Sequence, residues 1–502
     1  DRRIHPIRLA KDLMAFPVKT VPADETITGA GEILTRYNIN VLPVTDNGGV
    51  AGLITRQTIE KAAFHGFKDS PVRDYMNTEF ATVTSQTPLS RVQDLIVGNN
   101  QRFLPVVDKG KRVGAITRTD LLRWLYTRGD HLSSTLAEPD FHGAEPHIRG
   151  VFRMMEERLP ADVLALLKSI GRSAEELGMQ VYLVGGFVRD LLLRNHNLDI
   201  DVVVEGDGIR LAVALAEEGK ARLRVHRKFG TATLELPSGY RLDIATARLE
   251  YYDRPAALPR VEHGSIKLDL SRRDFTVNAL AIHLNPRHFG ELIDFFGGQK
   301  DLKERLIRVL HNLSFVEDPT RIFRALRFEQ RIGFQIARQT HMLMENAVRM
   351  ELMGRLSGRR LFRELVLCLS EEKAWPVVKR MGDYDLLKFF HPALKAQRSL
   401  EAIFLKLEGV ISWYRLLFTG EKFEPWVVYL LGLSDALPEK EIPKLLERSS
   451  LPEQFRGNFL RQRRAAMQAA HRLSQANLGR AEICFLLKPL PTDFLLWAMA
   501  RA

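Results

Sequence analysis

The chain has 502 residues, enough for three or four domains, and its 45% apolar content is ordinary for a globular protein. No stretch reaches the ~20 uninterrupted apolar residues of a membrane span, and two cysteines cannot form a disulfide framework. These features, with the lack of a signal-peptide pattern, exclude a helical membrane protein and a disulfide-rich secreted one. They predict a cytoplasmic setting without a membrane partner. The net charge of +12 favours a polyanionic partner such as nucleic acid.

The first 128 residues contain an internal repeat. The run LPV occurs at 42–44 and again at 104–106, and GLIT at 52–55 matches GAIT at 114–117. Because both matches are 62 residues apart, we interpret residues 1–128 as a gapless tandem duplication of a unit that alternates short strands with helices. The polar segment that follows, 129–150, has prolines and glycines but no periodicity and is interpreted as a linker.

The duplicated unit resembles a pair of cystathionine-β-synthase (CBS) repeats. The resemblance implies that an adenine nucleotide binds between the copies, held by a Thr and by an Asp three positions later. Thr117 and Asp120 match these positions in the second copy. The first copy has Thr55 followed by Thr58 in place of the acid, so one of two potential sites is expected to be damaged. A structural spacer, or a block that forms a homodimer, is the alternative.

A glycine pair follows an amphipathic helix that is expected at about 160–177. In VYLVGGFVRDLLL, residues 181–193, an apolar strand ends at Gly185 and Gly186 and a helix begins. Two glycines let backbone N–H groups approach a phosphate, the helix N-terminus adds positive potential, and Arg189 offers charged donors. Alone, the pattern more often marks only a tight strand-to-helix turn.

Three acids interrupt apolar runs beyond that turn. Asp199 and Asp201 flank Ile200 in LDIDVVV, and alternate residues of a strand share a face. Asp243 lies in a second apolar run, YRLDIATAR. Neighbouring carboxylates repel one another unless something compensates, and a divalent cation does so. We predict that the three acids hold two Mg²⁺ ions; surface acids at strand ends are the alternative.

Four successive segments resemble the motifs of class II tRNA nucleotidyltransferases and bacterial poly(A) polymerases. They are GGFVRD, LDIDVVVEGDG, ALPRVEHGSIKLDLSRRDFTVNALAI and EDPTRIFRALRF, within about residues 180–340. The resemblance implies a polymerase β-like head with a mixed sheet and transfer of a nucleotide to an RNA 3′ hydroxyl with release of pyrophosphate. It also implies Mg²⁺ as cofactor, and as partners the 3′ acceptor end of tRNA, ATP and, as a second nucleotide, CTP.

The resemblance assigns roles to single residues. Asp199 and Asp201 match metal ligands, and Asp243 matches a third acid that acts as base or shared ligand. The segment 248–267 matches a loop that helps to admit different nucleotides, and we expect it to be mobile. The matches to nucleotide contacts are Gly185, Gly186, Arg189 and Arg273 at the triphosphate, Asp274 at the sugar, Asp318 and Arg321 at the base, and Arg324 and Arg327 elsewhere.

The last motif has helical spacing. Asp318, Arg321, Arg324 and Arg327 follow at intervals of three, which predicts that all lie near one helix face. An Asp accepts from an exocyclic amino group and an Arg donates to a neighbouring acceptor, a pattern that suits cytosine and adenine but not uracil or guanine. The pair would therefore serve as a template for C or A. A solvated basic helix face is the alternative.

The rest of the chain shows only helical periodicity. After a catalytic head at 151–304, we predict a helical neck at 305–375 and a helical body and tail at 376–502. The resemblance implies phosphate contacts to RNA in the tail, and a solubilising surface is the equal alternative for a late cluster of arginines, namely Arg456, Arg461, Arg463, Arg464 and Arg472.

These features predict a multi-domain α/β plus all-α fold. The predicted function is template-independent addition of A, or of C, C and A, to the 3′ end of tRNA. Poly(A) synthesis, nucleotide transfer to another acceptor and a non-catalytic CBS-type sensor are the alternatives. The order of CBS pair and head is similar to family members with a DHH-type phosphoesterase domain at the front. Because the sequence opens on Asp1, we expect a further segment upstream.

Overall fold

The computed structural model describes residues 9–37, 39–98, 101, 103–118, 120–121, 147–195, 197–227, 230–251, 260–418, 420–448, 451–474 and 478–501. The chain forms two compact units. The first contains Asp1–Arg254, Leu258–Ser314 and Ala337–Leu343, and the second contains Pro255–Ala257, Phe315–Ile336 and Met344–Ala502. Within these described ranges, no helix combines the length and apolar character needed to cross a membrane.

The duplicated segment folds as two matching copies. In the first, Val21–Pro22 pairs in parallel with Val41–Asp46, which pairs antiparallel with Gly49–Thr55. In the second, Phe103–Asp108 pairs antiparallel with Lys111–Thr117. The helices of the pair are Ile27–Arg36, Arg56–Phe64 and Leu89–Gln93. The predicted tandem CBS pair is therefore confirmed.

Each copy also completes the sheet of the other. Ala15 exchanges two backbone hydrogen bonds with Ala115, at 2.8 and 3.1 Å. Asn77 exchanges two with Leu53, at 2.7 and 2.8 Å. Asn77 is the repeat equivalent of Ala15, and Ala115 is the repeat equivalent of Leu53, each 62 residues further along the chain. The two contacts are therefore equivalent under exchange of the copies, and the CBS pair has an internal pseudo-two-fold symmetry.

The head is built on an eight-stranded mixed sheet. The strand order from edge to edge is His147–Gly150, Glu291–Asp294, Leu280–His283, Gln180–Val184, Ile200–Glu205, Arg241–Thr246, Thr231–Glu235 and Arg222–His226. Strands Ile200–Glu205 and Arg241–Thr246 are parallel, and the other neighbouring pairs are antiparallel. The first edge strand lies in the segment predicted as a linker, so that prediction is wrong for residues 147–150; residues 129–146 lie outside the described ranges.

Helices cover the sheet of the head. The predicted helix at 160–177 is confirmed as Ala161–Glu176, and it buries Val163, Leu167, Ile170 and Ala174 at helical spacing. The other helices of the head are Phe152–Arg158, Gly186–Leu193, Gly208–Gly219, Ile266–Ser271 and Gly298–Glu304.

The segment predicted as a mobile loop, 248–267, contains ordered strands. Arg248–Tyr251 pairs antiparallel with Arg260–His263, and residues 252–259 between them are outside the described ranges. The prediction of a loop is therefore wrong for the flanks of this segment, where alternating ladder bonds hold the backbone.

The second unit is helical. Its helices are Arg321–Ile332, Gly358–Leu369, Ala374–Asp383, Arg398–Leu416, Pro425–Ser434, Ile442–Arg448, Glu453–Leu473, Arg480–Leu487 and Thr492–Arg501. Two further helices, Ser314–Glu317 and Arg338–Arg349, cross the division between the units, and the strands Leu306–Ile307 and Gln335–Ile336 have two residues each. The predicted α/β plus all-α class is confirmed.

Candidate active site

The strand Gln180–Val184 ends at a turn that requires glycine. Gly185 has a φ of +73°, in the left-handed region. A Cβ at this position would lie 3.1 Å from Nη1 of Arg273 and 3.4 Å from Oδ2 of Asp201. The turn therefore brings backbone, a guanidinium and a carboxylate to one point, where the helix Gly186–Leu193 begins.

Parallel strand pairing brings the predicted acids together. Asp201 lies opposite Asp243 in the register of the two parallel strands, and Asp199 precedes Asp201 by two residues, just before its strand begins. Asp243 accepts a hydrogen bond of 2.5 Å from Oγ1 of Thr233 and forms an ion pair of 2.9 Å with Arg241. The three acids thus lie at one end of two adjacent strands, as the sequence analysis required.

The electrostatics of this group centre on Asp201. Burial raises the pKa of Asp201 to about 6, and the charges of Asp199 and Asp243 also raise it, while those of Arg273 and Arg241 lower it. In the described ranges, no three His, Cys, Asp or Glu side chains are already arranged around a metal position. The fit to a divalent cation therefore rests on donor chemistry: a cation would compensate the repulsion that disfavours the ionised form of Asp201.

Asn197, which the sequence analysis missed, fixes the backbone just before Asp199. Its Oδ1 accepts from the backbone N–H of Asp199 at 2.9 Å, and its Nδ2 donates to Oδ2 of Asp190 at 2.7 Å. An Asn two residues before an acid is a local signal, because Asn side chains commonly accept from a backbone N–H two positions on.

Arg189 connects this region, through Asn278, to Asp274, the predicted sugar contact. Its buried guanidinium bonds to both carboxylate oxygens of Asp190, at 2.9 and 2.8 Å, and donates to Oδ1 of Asn278 at 2.9 Å. Asn278 in turn donates to Oδ1 of Asp274 at 3.0 Å. Arg189 therefore positions other site residues, and direct contact with a triphosphate stays a prediction. Asp190 and Asn278 lie inside the quoted motifs, but no spacing rule singled them out.

Arg273 is held beside the glycine turn. Its Nη2 donates to Asp269 at 3.1 Å, and Arg272 bonds to the other oxygen of this fully buried carboxylate. The Nε of Arg273 is buried without a hydrogen-bond partner among the described residues. An unused guanidinium donor next to Gly185 suits an anionic ligand such as a phosphate.

In the second unit, Asp318 lies before a helix rather than on one. The helix begins at Arg321, and Asp318 accepts from the backbone N–H and from Oγ1 of Thr320, at 3.1 and 2.7 Å. It also forms an ion pair of 2.9 Å with Arg360. The predicted single helix face for Asp318 and Arg321 is therefore wrong in detail, because Pro319 and Thr320 form a turn between Glu317 and the helix.

The three arginines of this helix differ in environment. Arg321 is buried, Arg324 is exposed, and Arg327 donates from Nε to Glu371 at 2.8 Å. Their roles as nucleotide contacts stay predictions. The residues between them pack in the core as expected, namely Ile322, Phe323, Ala325 and Leu326.

The proposed ligand residues of the CBS pair bond to each other. Oγ1 and the backbone N–H of Thr117 donate to Oδ2 of Asp120, at 2.6 and 2.9 Å. In the first copy, Thr55 and Thr58 make the corresponding contact through their hydroxyls at 2.9 Å. The acid therefore occurs in one copy only, as the sequence showed, and its role as a ligand contact stays a prediction.

One member of the late arginine cluster is structural. Arg463 is 4% exposed and pairs with Asp435 at 3.2 Å and with Glu439 at 2.7 Å. Its inclusion among surface arginines was wrong, because position 463 lies on the buried face of the helix Glu453–Leu473. The exposed members of the cluster are Arg461, Arg464 and Arg472.

The mixed sheet, the glycine turn at a helix start and the paired acids beside it define a nucleotidyltransferase head. Family models agree with this class. They match the poly A polymerase head domain at residues 181–308, the CBS domain at 10–65 and 72–127, and the probable RNA and SrmB-binding site of polymerase A at 333–398.

Similar proteins define the family. The A-adding tRNA nucleotidyltransferase of Geobacter sulfurreducens is 45% identical over 99% of this chain and 57% of its own length, so the chain spans just over half of that relative. A solved CCA-adding enzyme, apo form II, is 38% identical over 71% of this chain and 83% of its own, with a TM-score of 0.63. The Thermotoga maritima CCA-adding enzyme complexed with tRNA is 37% identical over 71% and 82%, with a TM-score of 0.58. The chain belongs to the tRNA nucleotidyltransferase and poly(A) polymerase family.

Proposed function

We propose that the protein adds A to the 3′ end of tRNA, or C, C and A, from ATP or from CTP and ATP, with release of pyrophosphate. The observation that carries this proposal is the meeting of Asp199, Asp201 and Asp243 beside the turn at Gly185. The similarity to an A-adding relative over 99% of the chain favours A alone. The net charge of +12 suits an RNA substrate, and a cytoplasmic location stays our expectation from the sequence.

The residues divide the work of nucleotide transfer. The backbone at Gly185 and Gly186, the helix N-terminus and the free Nε of Arg273 bind the triphosphate. Asp274, held by Asn278, accepts from the ribose hydroxyls. Asp243 takes the proton of the RNA 3′ hydroxyl, whose oxygen attacks the α-phosphorus as the bond to pyrophosphate breaks.

Mg²⁺ fits this site. Asp199 and Asp201 would hold it, and its chemistry when bound is to lower the pKa of the attacking hydroxyl and to neutralise the pyrophosphate. The raised pKa of Asp201 supports the assignment, because a carboxylate whose charge is disfavoured in the free protein gains most from a cation.

Base choice belongs to Asp318 and Arg321 in this proposal. Asp318 accepts from the exocyclic amino group and Arg321 donates to the adjacent ring acceptor, which suits adenine and cytosine alike. In the free protein Arg360 satisfies Asp318, so the incoming base would have to replace or share that ion pair.

A direct incorporation assay tests the proposal. The full chain is incubated with Mg²⁺ and with tRNA that ends at the discriminator base, at C or at CC, and labelled ATP or CTP is supplied separately. Addition of one A to tRNA ending in CC is the expected result. Incorporation of C would indicate a CC- or CCA-adding enzyme, repeated A would indicate a poly(A) polymerase, and no extension of any substrate would contradict the proposal.

We further propose that the second CBS copy binds an adenine nucleotide at Thr117 and Asp120 and that the CBS pair supports a homodimer. The mutual hydrogen bonds of Thr117 and Asp120 place both side chains at the end of the strand Lys111–Thr117. Equilibrium dialysis with labelled AMP should show binding that Asp120→Ala abolishes, and sedimentation should show a dimer; an unaffected AMP affinity or a monomer would contradict the respective part.

A further inference from the structure

The first residues of the second CBS copy are bonded to the C-terminal end of the first unit. Gln339 uses its whole side-chain amide for this contact: Oε1 accepts from the N–H and the hydroxyl of Thr78, at 2.8 and 2.6 Å, and Nε2 donates to the carbonyl of Met76 at 2.9 Å. The backbone N–H of Gln339 donates to Oε1 of Glu79 at 2.9 Å. Because Gln339 is only 4% exposed, this junction is a buried polar contact and not a loose surface encounter.

Glu79 continues the contact into the head. Its second carboxylate oxygen forms an ion pair with Nη1 of Arg308. The Nε of Arg308 donates to both oxygens of Asp301, at 3.1 Å each. Asp301 is 3% exposed and accepts from Oγ1 of Thr276 at 2.6 Å, and the backbone N–H of Thr276 donates to the carbonyl of Arg308 at 2.9 Å.

Thr276 is the point where this chain of contacts meets the nucleotide motif. It opens the short helical turn Thr276–Asn278, directly after Arg273, Asp274 and Phe275. Asn278 of the same turn is the residue that holds Asp274. We propose that Arg308 is a positioning residue for the nucleotide contacts and that the CBS pair acts on them through Glu79.

This inference rests on the proposed function, which gives Arg273 and Asp274 the triphosphate and the sugar. It adds that a residue of the CBS pair, outside the head, sets their geometry. Without the charge of Glu79, the half-buried guanidinium of Arg308 would have only Asp301 as an ionic partner, and the backbone at Thr276 would lose one of its constraints. Because Arg273 and Asp274 contact the nucleotide before and during the reaction alike, the loss should weaken ATP binding more than it slows the chemical step.

The test compares Glu79→Gln with Asn312→Ala in the full chain. Asn312 donates to the carbonyl of Tyr75 at 2.6 Å, so it belongs to the same junction but has no bond to Arg308 or Asp301. We expect Glu79→Gln to raise the KM for ATP about fivefold or more, with kcat within about twofold, and Asn312→Ala to leave both constants unchanged. Arg308→Lys, which keeps the charge but not the two-sided contact, should raise the KM as Glu79→Gln does.

Equilibrium binding of ATP to the same three variants distinguishes a failure of the proposed function from a failure of the positioning role. A wild-type chain that binds ATP but extends no tRNA would contradict the proposed function, while a matching rise in Kd for Glu79→Gln would still support the positioning role. Equal effects of Glu79→Gln and Asn312→Ala would overturn the inference. A fall in kcat at unchanged KM, or failure of both Glu79→Gln and Arg308→Lys to fold, would also overturn it, because the contact would then be merely structural.

Discussion

At the scale of single residues, the glycine turn offers the sharpest comparison. Gly185→Ala places a Cβ 3.1 Å from Arg273 and forces an alanine to a φ of +73°, at a cost of ~1 kcal/mol for the backbone alone. Gly239 is a matched control, with a φ of +85° and no described atom within 4 Å of an added Cβ. We expect similar losses of stability in the two alanine variants, measured by thermal unfolding.

The kinetics of nucleotide incorporation should differ between Gly185→Ala and Gly239→Ala. Gly185→Ala should lower kcat/KM for ATP at least tenfold, because the displaced Arg273 and the adjacent Asp201 serve the triphosphate and the metal in the proposed mechanism. Gly239→Ala should retain wild-type kinetics. Equal kinetic losses in both variants would show that backbone strain, and not the site, explains the effect.

Asp201→Asn should abolish incorporation and stabilise the metal-free protein. Burial raises the pKa of Asp201 to about 6 from its usual value of 3.8, so the folded protein keeps this proton to a higher pH than the unfolded chain does. Stability therefore falls as pH rises from about 4 to about 6, and above that range the full penalty of at most ~3 kcal/mol is present. In EDTA at pH 7.5, the Asp201→Asn variant should lack this penalty and have a higher Tm than the wild type, with tRNA binding unchanged. A lower Tm together with loss of tRNA binding would indicate that Asp201 has a structural role instead.

At the scale of elements, the helix Glu453–Leu473 distinguishes structural from surface arginines. Arg463→Ala removes one cationic partner from Asp435, whose side chain is 11% exposed, and should cost ~3 kcal/mol in the free energy of unfolding. Arg461→Ala, on the exposed face, should change it by less than ~0.5 kcal/mol. Denaturant titration measures both values, and equal costs would contradict the assignment of Arg463 to the core.

The same helix shows what sequence could and could not predict. Periodicity predicted that the segment is helical, but an arginine on a mostly polar helix gave no sign that Asp435 and Glu439, far along the chain, would pair with it. The catalytic acids were predictable because their signal is local: Asp199 and Asp201 interrupt an apolar run within a few residues of each other. Asn278 was not, because its importance arises from a contact with Arg189, which lies 89 residues away along the chain.

Local turn chemistry accounts for the remaining misses. Asp318 was expected on a helix from its spacing to Arg321, yet its side chain accepts from Thr320 and ends up before the first turn. Residues 147–150 were expected in a linker because they lack apolar alternation. They form an edge strand because the exposed edge at Glu291–Asp294 supplies partners for their backbone.

At the scale of the whole molecule, the duplicated CBS pair is bonded to residues of the head as well as preceding it in the sequence. Its two copies exchange backbone hydrogen bonds at Ala15–Ala115 and Leu53–Asn77. The next two residues, Thr78 and Glu79, contact Gln339 and Arg308 respectively. The exchange between copies and the contact with the head therefore share one short stretch of backbone. A change in the packing of the CBS pair would reach the head through this stretch first.

The net charge of +12 predicts how the whole chain responds to salt. If tRNA binding neutralises about five phosphates, released counterions make affinity fall on the order of 100-fold between 50 and 200 mM salt, as a filter-binding titration would measure. Arg472→Ala removes one exposed cation and should reduce the slope of log K against log salt by up to ~1, whereas Arg463→Ala should leave the slope unchanged, because its charge is already neutralised by Asp435 and Glu439. An affinity that varies less than about twofold over this range would place recognition in base or shape contacts instead, and the basic surface would then have only a solubilising role.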